Sequence, residues 1–93
     1  MRRLAKSLRR MTLHWLDVPQ DVILNLPRIT MIGKQQVTIE NHRGVEWFSP
    51  ELLRLHMDEG KLEITGSGLI IRTILKDEVW VEGERIHRID YVD

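Results

Sequence analysis

No cysteine occurs among the 93 residues, so neither disulfides nor thiolate metal sites reinforce this chain. That fits a reducing compartment. No uninterrupted apolar run reaches the roughly 18 residues that a membrane-crossing helix requires. The basic N-terminus has the charge of a secretory signal, but Lys6, Arg9 and Arg10 break any apolar stretch behind it. The expectation is a cytoplasmic protein. Its length allows one domain with one thin core, since a chain this short buries only roughly 60–65 % of its unfolded surface.

Catalytic equipment is equally sparse. No Gly-x-Ser-x-Gly elbow occurs, and Gly66-Ser67-Gly68 reads as a hairpin turn, not as a nucleophile. His14, His42, His56 and His87 are scattered, without a second ligand at metal spacing. The acidic pairs Asp58/Glu59, Asp77/Glu78 and Glu82/Glu84 fall in turns or at a strand end, where acids are solvated. Gly33-Lys34 lacks the rest of a phosphate-binding loop. The sequence therefore predicts no enzyme, no catalytic residue, no cofactor and no metal.

What is present begins with charge. The net charge is zero, yet residues 1–16 hold five basic side chains and no acid. The remainder holds nine basic and fourteen acidic residues, a net of −5. A cationic head on an anionic body, with no second basic patch, argues against nucleic acid as a partner. Leu4, Leu8, Met11 and Trp15 recur at helical spacing, with Arg2, Arg3, Lys6, Arg9 and Arg10 on the other faces. The spacing predicts an amphipathic helix over 1–16. Three roles suit it: docking on an anionic membrane surface, insertion into a partner's groove, or covering an open face of its own domain.

Asp17 and Pro19 end that pattern. Residues 17–27 form an apolar connector in which Val22, Leu24 and Leu26 alternate, as in an edge strand. From 28 to 93, short alternating runs are separated by turn residues every roughly 8–10 positions, the pattern of an all-β domain. About eight strands are expected, arranged as an antiparallel sandwich or roll, with a β-solenoid as the alternative. Ser49-Pro50-Glu51 also carries the signs of a helix start, but Leu53, Leu55 and Met57 alternate as a strand. Trp47 is expected on the face of Val45. Trp80, between Val79 and Val81, is expected to point outward and is a contact candidate. Ile70 raises the same two-faced question, which a subunit interface in a homo-oligomer would answer.

The order of motifs also resembles a known family. Leu24-Asn25-Leu26-Pro27-Arg28-Ile29-Thr30-Met31-Ile32-Gly33, followed by Val37-Thr38-Ile39-Glu40-Asn41-His42-Arg43-Gly44, is similar to the YabP/YqfC family of sporulation proteins. Leu62-Glu63-Ile64-Thr65-Gly66 and Val79-Trp80-Val81-Glu82-Gly83 fit it too, so the resemblance covers roughly residues 13–91. The chain looks more like the YqfC branch. The resemblance implies a protein of endospore formers that acts in the mother cell beside an integral membrane partner encoded nearby; joined to the basic helix, it gives the expectation of a peripheral position at a membrane. It supplies no catalytic residues. Trp47 and Trp80 are not typical of it.

Overall fold

The computed structural model describes residues 26–93, and within them every regular element is a strand. The helix expected over 1–16 and nearly all of the connector expected over 17–27 lie outside the described residues. In chain order the strands are β1 (Arg28–Ile32), β2 (Gln36–Glu40), β3 (Val45–Ser49), β4 (Leu52–His56), β5 (Lys61–Ser67), β6 (Ile70–Ile74), β7 (Glu78–Glu82) and β8 (Arg85–Val92).

They form two four-stranded sheets, β1-β2-β7-β6 and β3-β4-β5-β8, with every pairing antiparallel. The solenoid alternative is thereby excluded, since stacked rungs would pair in parallel. The two sheets share one core. Val37, Ile39, Val79 and Val81 from the first sheet meet Leu53, Leu55, Leu62, Ile64 and Ile86 from the second, with Leu69 and Met57 at the ends. Period-two alternation puts them there: in β5, Leu62, Ile64 and Gly66 are buried while every other residue is half-exposed. Each fully buried aliphatic side chain contributes about 1.5–3 kcal/mol.

The chain crosses between sheets three times, and backbone hydrogen bonds tie the crossings together. Gly83 N donates to Gln35 O at 2.9 Å, Ile86 N to Lys34 O at 2.7 Å, and Leu69 N to Pro50 O at 2.9 Å. Ser49-Pro50-Glu51 forms the β3–β4 turn and starts no helix. Ser49 Oγ accepts from Leu52 N at 3.1 Å, a cap-like bond used here to close a hairpin.

One sequence expectation needs correction. Pairing shifts register between Val45 and Trp47, so Trp47 lies opposite Arg54, on the outer face, while Val45 lies opposite Leu55 over the core. A β-bulge is the cause: the extra residue flips alternation beyond it. His42, in the connection between β2 and β3, is 2 % exposed. Its Nδ1 accepts from Gly44 N at 2.9 Å, which places the ring proton on Nε2. Asn41, at φ 69°, turns the chain inward there.

Candidate functional site

The outer faces of the two sheets differ in chemistry. On the second sheet, charges cancel one another. Arg54 Nε donates to Glu63 Oε2 at 2.6 Å, and Glu46 lies 3.1 Å from Lys61 Nζ, 3.4 Å from Arg54 and 3.4 Å from His56 Nε2. The Lys61 hydrogen bond, helped by the Lys61 and Arg54 charges, holds the Glu46 carboxyl below its ordinary range against the opposing effect of desolvation. The bond to Glu63 pushes the Arg54 guanidinium still higher. Arg88 pairs with Asp90 at 3.0 Å. The charges of this face are largely partnered within it, and Trp47 stands exposed beside them.

The outer face of the first sheet carries fewer ion pairs and has an apolar and threonine-rich middle. Register places Thr30, Thr38, Trp80 and Thr73 side by side across all four strands. The next row runs Ile32, Gln36, Glu82, Ile70. Val79 and Val81 are buried at 0 % and 1 %, so alternation turns Trp80 outward, 47 % exposed. Ile32, at 64 %, and Ile70, at 45 %, flank it. Ile70 faces solvent opposite Glu82, while Ile71 faces inward opposite Val81.

A shallow cleft runs over this face, bordered by Thr30, Ile32, Thr38, Arg72, Trp80 and Glu82. Its polar groups are fixed in place. Glu82 takes a hydrogen bond from Gln36 Nε2 at 3.2 Å and lies 3.4 Å from Arg72 Nε. The Trp80 indole N–H donates to the Glu78 carboxylate. An exposed tryptophan held by its own edge is a preorganised contact surface, because little side-chain freedom is lost when something covers it.

Of the contact residues named from sequence, the structure describes Trp80 alone. Arg2, Arg3, Leu4, Lys6, Leu8, Arg9, Arg10, Met11 and Trp15 lie outside the described residues. The residues around Trp80 were not singled out from sequence, although a signal existed: Thr38 sits in Val-Thr-Ile as Trp80 sits in Val-Trp-Val. Two central strands with the same alternation place their outward residues on one face. Among the described residues no group of three or more His, Cys, Asp or Glu could hold a metal ion.

Comparison with known proteins agrees with these features. The YabP family model matches residues 25–93, the span of the sandwich. The chain is also 42 % identical over 78 residues to the uncharacterized protein YqfC of Bacillus subtilis (strain 168), covering 84 % of this chain and 83 % of that protein. An eight-stranded sandwich with this motif order, matched over most of its length, belongs to the YabP family.

Proposed function

We propose that this protein is a non-enzymatic assembly factor of spore formation, acting at a membrane-associated complex on the cytoplasmic side of the mother cell. The reading is carried by the asymmetry of the two sheets: one outer face pairs most of its charges internally around a single exposed tryptophan, Trp47, while the other presents Trp80, Ile32 and Ile70 between threonines. That surface suits a protein partner, and the family resemblance points to an integral membrane protein encoded nearby. The basic stripe of residues 2–16 supplies the attraction to anionic lipid that a peripheral protein needs. Affinity purification from sporulating cells tests the docking face. Trp80→Ala loses the membrane partner and Trp47→Ala, on the opposite face, retains it; retention by both overturns the reading. Sedimentation with anionic vesicles tests the tether, which deletion of residues 1–16 abolishes.

A homo-oligomeric scaffold without membrane contact is the second reading. It draws on the edge strands β1 and β6, which carry Met31, Ile32, Ile70 and Ile74 at 44 % exposure or more. Light scattering of the chain lacking residues 1–16 separates the two, since edge pairing survives that truncation.

A further inference from the structure

β1 and β8 are edge strands of the two sheets, and each leaves an inward-facing apolar side chain open to solvent. Met31 pairs with Val37 and Tyr91 with Leu62, so both belong to the inner faces, yet they are 44 % and 60 % exposed. A groove at the start of β1 and the end of β8 has Leu26, Pro27, Met57 and Tyr91 as its apolar surface and Asp58, Glu59 and Asp93 on its rim. Asp58 is occupied by Arg43, in a two-pronged pair at 2.7 and 3.2 Å. Glu59 and Asp93 have no ion pair among the described residues.

We infer that this groove is the resting seat of the chain's own basic segment, residues 2–16, which leaves it when anionic lipid competes. Three observations meet here. The groove combines an apolar floor with an acidic rim, and the segment combines the apolar row Leu4, Leu8, Met11, Trp15 with five cations and no acid. The chain enters the described fold at the groove itself, because Leu26 lines it. The exit is pinned, since Asn41 Nδ2 donates to Leu26 O at 2.6 Å. The intervening residues 17–25 reach at most roughly 30 Å when extended, ample for the segment to double back over the groove and too short for it to roam. Tethering at that range raises the local concentration of the segment to about millimolar, so a weak contact suffices. Charge gives the switch its sign: an anionic bilayer offers the same cations a denser field than the two carboxylates of Glu59 and Asp93 do.

Trp15 reports on the seat. In the intact chain carrying Trp47→Phe and Trp80→Phe, it is the sole tryptophan, as the sequence holds three. Its emission is expected to be blue-shifted and shielded from acrylamide without lipid, and to shift red with greater quenching when Glu59→Lys is added or salt is raised. Glu51→Lys, the same charge change at an exposed turn far from the groove, leaves it unchanged. Equal release by both charge variants, or water-like emission in the parent, overturns the inference. Shielding that vanishes on dilution also overturns it, because the segment would then be seated on a second copy. In a separate arm, Glu59→Lys binds phosphatidylglycerol vesicles more tightly than the parent. Failure of every variant to bind vesicles defeats the membrane reading while leaving the Trp15 result standing.

Discussion

Gly66 on β5 faces the carbonyl oxygen of Arg85 on β8 so closely that no side chain fits between them. A Cβ at residue 66 would also meet Leu69 Cδ2 at 2.9 Å and Ile86 Cα at 3.3 Å. Two of those atoms are backbone and cannot rotate aside. The pairing register shifts at the same place, between Thr65 and Gly66, where the strand bends to release the chain toward β6. Gly66→Ala is therefore expected to cost about 1–3 kcal/mol or more. Urea denaturation reads this as a lowered midpoint with an unchanged slope.

Core and docking face separate under mutation. Ile64 is fully buried, and Ile64→Ala is expected to lose about 2–5 kcal/mol. Trp80 rests half-exposed on a sheet surface, so Trp80→Ala is expected to lose about 1 kcal/mol or less. Denaturation midpoints check both. A large loss at Trp80 would make it part of the framework instead of a contact surface.

Acid acts through Glu46. Its carboxyl is held below the ordinary value of 4.5, so the folded state resists protonation that the unfolded chain accepts. The contribution is complete above 4.5 and is lost as pH falls through the depressed value. Glu46→Gln is expected to lower the melting temperature near neutral pH and to converge with the parent in acid. High salt narrows the neutral gap, because these groups lie at the surface.

Asn41 supports a left-handed turn and two bonds at once: N to Asp77 O at 2.6 Å and Nδ2 to Leu26 O at 2.6 Å. Asn41→Gly keeps the backbone conformation and loses only the side-chain bond. Asn41→Ala loses that bond and also forces an alanine into φ 69°, so it is expected to be the worse variant by about 1 kcal/mol. Thermal melts of the pair measure the difference.

The eight strands were readable because alternation such as Val37-Thr38-Ile39 and Leu62-Glu63-Ile64 survives into the structure between recognisable turns. Alternation misleads only where the count of residues slips. The bulge after Val45 sends Trp47 outward with no local mark in composition, and at the left-handed turn, which an asparagine such as Asn41 favours, the direction of His42 is set only by the surrounding fold. Strand order was not readable at all. The pairing of β2 with β7 joins residues 36–40 to 78–82, and a short apolar strand does not encode its distant partner. The outward direction of Trp80 was readable from its buried valine neighbours, whereas the threonine row beside it required the register.

That long-range pairing shapes how the molecule is made. The β3-β4-β5 meander pairs neighbour with neighbour and closes early, while the β1-β2 hairpin emerges with Val37 and Ile39 uncovered. It must wait for β7, translated about 40 residues later, which at typical synthesis rates is roughly two to eight seconds. During that interval the nascent chain displays a greasy hairpin with no strand beside it, so cotranslational chaperone demand concentrates on the first third of the sandwich.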